Sequence, residues 1–301
     1  MHRLLLFCMS FVLSLGLLAQ EGEKNFSEWI EGNGISLRKS FDGSKDEQKP
    51  ATFGLLNDLQ SSNDYFNVDV ALKITEIGLI QKGKSNLIFF PKIEYHRSSN
   101  ITKEIDKFEL GINAEYVPFQ RKAEPGVIPH NLPNLGVIFS PWVNIQYSTK
   151  RNFLTSEYEE AAALILSISS NYKYLPGRSV RDENGEFIFR YYPYIGFEYN
   201  SVPQFTDKMY GADYTSILLR MFFEYWVVPR DVQLTFDWQY RRNYSDAEEL
   251  RKHVQFIALS TNFYPGKQEN VGLLVEYKRG YLADTGFEFI NRYSVNVAVK
   301  F

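Results

Sequence analysis

An all-β chain, closed into an antiparallel up-and-down barrel that crosses a membrane on about twelve strands, is the fold class this sequence predicts. Three observations lead to it. From residue 51 to the C-terminus, apolar and polar residues alternate in run after run. Aromatic residues make up 16% of the chain, with 20 Tyr and 24 Phe, while mean hydropathy is mildly negative, as expected of a wall with one face in lipid and one in water. No stretch has the period of an amphipathic helix, and a sheet covered by lipid needs no helix over its face. A soluble β-sandwich is the competing reading; the two ends of the chain favour the barrel.

The chain opens with Met1-His2-Arg3, an apolar run from Leu4 to Leu18 with Gly16 and Ala19, then the polar Gln20-Glu21-Gly22-Glu23-Lys24. A basic start and an apolar middle too short to span as a helix are the layout of a signal peptide over 1–20, cleaved near Ala19 or Gln20. The alternative is a buried N-terminal helix. The one cysteine, Cys8, falls within this segment, so the mature chain has no disulfide framework and no thiolate metal site. Residues 21–50 are polar, with Gly32, Gly34 and Gly43 and no sustained period. They form a periplasmic lead-in, either tucked into the barrel mouth or left as a free tail. Residues 51–301 form the barrel. The formal net charge of −3 gives nucleic acid no reason to bind.

Within the barrel, Ala51 to Leu59 is the weakest run. Phe66, Val68, Val70, Leu72 and Ile74 then alternate with Asn67, Asp69, Ala71 and Lys73. Phe89, Pro91, Ile93 and Tyr95 oppose Lys92, Glu94 and His96. Phe108 to Tyr116 alternates likewise, and after the proline-rich connection Pro118 to Asn134 come Val137 to Tyr147 and Leu164 to Tyr172. Phe187 to Tyr199 follows. Pro141 and Pro193 lie inside these runs and mark bulges or strand ends, because proline lacks a ladder donor. The clearest hairpin is Thr215 to Arg241, turned at Pro229-Arg230-Asp231. Ile257, Leu259 and Phe263 leave their parity open. Val271 to Tyr277 and a closing strand complete the series. Roughly ten to fourteen strands are compatible with these runs, and an even number leaves both termini in the periplasm. Counting back from the tail places the Pro229 turn there, and the long 118–134 connection with it.

One face of these runs gathers charge: Lys73, Glu94, Lys107, Glu109, Glu115, Arg190, Glu198, Arg220, Glu224, Asp237, Arg241, Glu276 and Lys278. Facing lipid at mid-membrane, each basic residue would cost about 2 to 4 kcal/mol, so these residues line the lumen. Both signs are present, and no row of one sign argues for anion or cation selectivity.

The tail alternates Tyr293, Val295, Val297, Val299 and Phe301 with Arg292, Ser294, Asn296, Ala298 and Lys300. It resembles the closing strand of bacterial outer-membrane β-barrels, whose terminal Phe is read by the assembly machinery. The resemblance implies a Gram-negative outer-membrane location. It implies as partners outer-membrane lipid, the barrel-assembly machinery through this strand, and other outer-membrane proteins.

Beyond the leader the histidines are His96, His130 and His253, without metal-ligand spacing. No phosphate-binding glycine loop or nucleophile elbow occurs, and no cofactor is expected. His96-Arg97-Ser98-Ser99-Asn100 resembles the His-x-Ser-Asn element of outer-membrane phospholipase A. That resemblance implies His96 as general base, Ser98 as nucleophile and Asn113 as orienting group. Asn100 stands one residue late, and Ile101-Thr102-Lys103 replaces the family's Gly-Arg-Ser; the alternative is a polar surface loop. Tyr65, Tyr95, Tyr116, Tyr147, Tyr172, Tyr240 and Tyr277, near strand ends, read as interfacial girdles, with sugar-stacking platforms as the alternative. The function expected is a porin-like passive channel for small polar solutes or a narrow barrel of structural role. The alternatives are a phospholipase-like hydrolase and a partner-binding subunit of an outer-membrane complex.

Overall fold

The computed structural model describes residues 36–40, 49–59, 63–73, 77–82, 85–98, 105–117, 139–153, 157–170, 174–177, 179–182, 185–201, 213–245, 250–265, 271–282 and 288–299. The predicted leader, most of the lead-in, the 118–134 connection, His130, Tyr172 and Phe301 lie outside the described residues. The strands are β1 (Ser36–Arg38), β2 (Ala51–Asp58), β3 (Asn63–Lys73), β4 (Ile77–Lys82), β5 (Ser85–Ser98), β6 (Ile105–Val117), β7 (Phe139–Asn152), β8 (Glu157–Ser170), β9 (Val180–Arg181), β10 (Phe187–Ser201), β11 (Tyr214–Val228), β12 (Val232–Tyr244), β13 (His253–Phe263), β14 (Val271–Leu282) and β15 (Glu288–Val299).

The sheet closes where its last strand meets its first long one: β15 pairs β2 from Arg292↔Asp58 to Val299↔Ala51. The circuit is an antiparallel barrel of twelve strands. Two of the fifteen elements, β3 and β4, share one place in the wall, since β3 lies along Lys92–Ser98 of β5 and β4 along Ser85–Phe89. The short β1 and β9 extend the edges of β3 and β10 beyond β2 and β8. Counting joints round the circuit puts the β6–β7 connection at the same end as the β11–β12 turn, as the sequence count has it.

Burial follows the period of two, with the chemistry of a soluble protein reversed. On β11, Leu218, Arg220, Phe222, Glu224 and Trp226 are at most 4% exposed, while Leu219, Tyr225 and Val227 are at least 39% exposed. Across the barrel Lys92, Glu94, Glu115 and Asn296 are buried, and Ile112, Ile145, Phe197, Leu259 and Val295 are exposed. An apolar outer wall around a polar interior suits lipid outside and water or ion pairs inside. Strands of 14 and 15 residues, such as β5 and β11, exceed the span of about 9–11 residues that a tilted strand needs. β13 resolves its parity: Val254, Phe256, Ala258 and Asn262 are buried, and Leu259 and Phe263 exposed.

The prolines sit where a neighbouring strand is interrupted. Pro193 falls between the end of β9 pairing at Phe189 and the start of β8 pairing at Tyr194, and the Ser167 hydroxyl donates to its carbonyl at 2.7 Å. Pro91 lies between the β4 pairing of Phe89 and the β3 pairing of Lys92. Pro141 is the third residue of β7. A missing donor costs least where the ladder has a gap or an end. At the β11–β12 turn Arg230 adopts φ 65°, and the Asp231 N–H donates to the Val228 carbonyl at 3.1 Å.

Two positions depart from simple alternation. Val68, on the apolar row of β3, is 7% exposed, and Val299 at the end of β15 is 6% exposed, beside a fully buried Ala298. Both faces are covered at the end of β15, so its period is legible only as far as Val297.

Candidate functional site: a charged lumen

The lumen is built from the inward row of each strand, and its charges form two connected networks. In the first, Lys92 Nζ lies 2.8 Å from Glu94 Oε1 and 2.9 Å from Glu109 Oε1, with its side chain 1% exposed. Glu94 and Glu109 stand directly opposite each other in the β5–β6 register. Lys92 therefore holds together two carboxylates that would otherwise repel. Lys150 of β7 approaches Glu109 at 3.4 Å, and Lys107 reaches Glu159 of β8 at 3.0 Å. His96 continues the chain: Nδ1 is 3.0 Å from Asp69 Oδ1 and Nε2 is 3.2 Å from Glu94 Oε2.

The second network lies on β10, β11 and β12. Arg220 donates through Nε to Asp237 Oδ1 at 2.8 Å and through Nη2 to Asp237 Oδ2 at 3.0 Å, the fork geometry that arginine offers a carboxylate. Arg241 does the same to Glu198, at 2.8 and 3.2 Å. Arg190 binds Glu224 at 2.6 Å, and Gln233 donates to the other oxygen of Glu224 at 2.6 Å. Beside these pairs Trp142, Ile165, Tyr192, Tyr194 and Phe222 pack into an aromatic cluster that fills one part of the interior. The Arg220 guanidinium lies 5.0 Å from the Tyr194 ring centroid.

The residues before the barrel join both networks. Leu37 pairs Leu72 on β3, and the Lys39 N–H donates to the Lys49 carbonyl at 2.9 Å, which holds the two lysines side by side. From that point Lys39 reaches Glu276 of β14 at 2.9 Å and Asp69 of β3 at 3.6 Å, while Lys49 reaches Asp237 of β12 at 2.6 Å and stands over the Phe222 ring. Burial pushes the Lys39 ammonium down, but the Glu276 and Asp69 carboxylates outweigh it and hold its pKa above the ordinary lysine range. We call residues 36–40 and 49–50 the strap.

A cavity of about 260 Å³ lies within this framework. Its wall supplies the cations Arg97, Lys107, Lys150, Arg220, Arg241, Lys278 and Arg292 and the anions Asp69, Glu94, Glu109, Glu198, Asp237 and Glu276; the strap adds Lys39 and Lys49. Of the residues predicted to line the lumen, Glu94, Lys107, Glu109, Glu198, Arg220, Asp237, Arg241, Glu276 and Lys278 border this cavity. Lys73, Glu115 and Glu224 are buried, and Arg190 is half-buried, away from it. Sequence reasoning left Asp69 and Lys92 out of the charged set although both lie on the face it assigned inward. It had no signal for Lys39 and Lys49, which stand in a stretch without period.

Of the residues that resemble a phospholipase element, Asn113 is not brought to His96, and Ser99 and Asn100 lie outside the described residues. Asn113 pairs Phe90 and Gln146, six residues along β6 from Lys107, the partner of His96. At strand spacing that is roughly 20 Å. Both ring nitrogens of His96 face carboxylates, which leaves neither free to take a proton from Ser98. The buried Ser98 hydroxyl has no hydrogen-bond partner among the described residues. Among those residues, too, no group of three or more His, Cys, Asp or Glu is placed to hold a metal ion. Of the expected girdle, Tyr116 and Tyr147 are exposed, as are Tyr199, Tyr225 and Tyr293, and Tyr95, Tyr240 and Tyr277 are half-buried.

No family model matches the chain, and no curated protein matches it. Among solved structures it is similar to the NanC porin, with a TM-score of 0.46 and 10% identity over 83% of this chain and 100% of that one. It is similar to the KdgM porin at a TM-score of 0.38 and 9% identity, over 83% and 98% of the two chains. It is also similar to the transport unit of the autotransporter AIDA-I from Escherichia coli, at 0.42 and 9%, over 97% and 98%.

Proposed function

We propose that the chain is an integral outer-membrane barrel of a Gram-negative cell and acts as a narrow, porin-like passive channel for small polar solutes. The observation that carries this reading is the reversed distribution of side chains: an apolar outer face around an interior in which charged groups border a cavity of about 260 Å³. An interior built only for stability gains little from so many buried ions, since well-packed apolar residues usually serve as well. A solute path does gain, because fixed charges replace part of the hydration of what passes. Single-channel recording in planar bilayers tests the reading. Folded protein is expected to carry small discrete currents, reduced relative to open porins by the strap and the aromatic cluster. Folded protein that carries none is a structural barrel, and the channel reading fails.

A further inference from the structure

Among the described residues that border the cavity, two of the three surplus cations come from the strap. Among these described residues the wall is nearly balanced, with seven lysine and arginine side chains against six carboxylates. Lys39 and Lys49 raise the cations to nine. Both come from outside the barrel strands, and they enter together because their backbones are joined at 2.9 Å. Their ammonium groups sit on carboxylates of β3, β14 and β12, three of the six that border the cavity. His96, whose two ring nitrogens face Asp69 and Glu94, adds no negative charge to this balance.

We infer that Lys39 and Lys49 are the selectivity element of this channel, giving a lumen of balanced wall charge a preference for small anions. The inference rests on the channel reading above. In a narrow path bordered by low-dielectric wall, a surplus of one sign attracts the opposite ion and repels its own. With the strap cations removed, Asp69, Asp237 and Glu276 each lose a counter-charge, and the cationic surplus among the described residues bordering the cavity falls from three to one.

The test is the reversal potential of the reconstituted full-length mature protein in planar bilayers under a potassium chloride gradient. The wild type is expected to give the sign of chloride preference, and Lys39→Gln/Lys49→Gln a potential moved close to zero. Each single variant is expected to fall between, and provides the test if the double variant does not fold. Lys39→Arg/Lys49→Arg, which keeps the charge, retains the preference, and so does Arg230→Gln at the exposed rim. Currents whose reversal potential is unmoved by the neutral variants, or a wild type that prefers potassium, overturn the inference and leave the channel reading standing. Folded protein without current in any form overturns the channel reading and this inference with it.

Discussion

The ammonium of Lys39 lies 2.9 Å from the Glu276 carboxylate across 237 positions of sequence, joining the segment before the first long strand to the next-to-last strand of the barrel. The contact places Lys39 inside the barrel, as the Lys49–Asp237 ion pair does Lys49. With Lys39→Cys and Glu276→Cys in the mature chain, a short bis-maleimide is expected to link the two positions, detected as a cross-linked peptide by mass spectrometry. Lys39→Cys paired with Val275→Cys, on the outward face of β14, is expected to give none. Equal yields from both pairs would place the strap elsewhere.

Lys39 also has a pH signature. Its pKa is held above the ordinary lysine value of about 10.4, so the contribution of its charge is complete below that pH and is lost only as pH rises through the higher folded value. Acylation of the Lys39 amine is therefore expected to lag behind surface lysines as pH is raised to about 10. Peptide mapping after brief labelling measures it; Lys39 modified as fast as rim lysines contradicts the ion pair.

Lys92 sits buried between two carboxylates of the wall. Lys92→Met leaves Glu94 and Glu109 face to face in a buried site, and breaking a buried pair by removing one partner costs about 3 to 5 kcal/mol. Denaturant unfolding in detergent is expected to show that loss. Lys92→Met/Glu94→Gln/Glu109→Gln, which removes the stranded charges, is expected to recover most of it. A triple variant no better than the single one would mean that the loss comes from packing.

The seam between β2 and β15 admits no side chain at Gly54: a Cβ there would overlap the Val295 carbonyl oxygen and crowd Asn296. Gly54→Val is expected to prevent closure, read as loss of the heat-modifiable folded band on a gel. Gly185→Ala is the comparison for adding a Cβ in open space, although its φ of 82° also carries strain. Normal folding of Gly54→Val would show that the two strands stand farther apart than their register implies.

The sequence carries the wall well and the interior poorly, for a physical reason. Lipid imposes one demand on every second residue, and β11 and β12 answer it so regularly that their faces and turn are legible from spacing alone. The lumen imposes no such uniform demand, because polar, aromatic and charged groups all satisfy it when partnered. Inward charges can therefore be named by parity, but the identity of each partner depends on barrel register, which joins Asp69 to His96 and Lys39 to Glu276. Strands of two or three residues such as β9 and β1 carry no period. Pro193 and Pro91 look anomalous in sequence because the gap that tolerates each lies on a neighbouring strand.

The account depends on β11 having one face in hydrocarbon and the other in the lumen. Single cysteines from Ile217 to Val227, spin-labelled in protein reconstituted in lipid vesicles, test this through collision with oxygen, which concentrates in lipid, and with a water-soluble nickel chelate. Oxygen accessibility is expected to peak at Ile217, Leu219, Met221, Phe223 and Tyr225 and to fall at Leu218, Arg220, Phe222 and Glu224. Accessibility without a period of two, or nickel access greatest on the odd-numbered row, would contradict a membrane-spanning barrel.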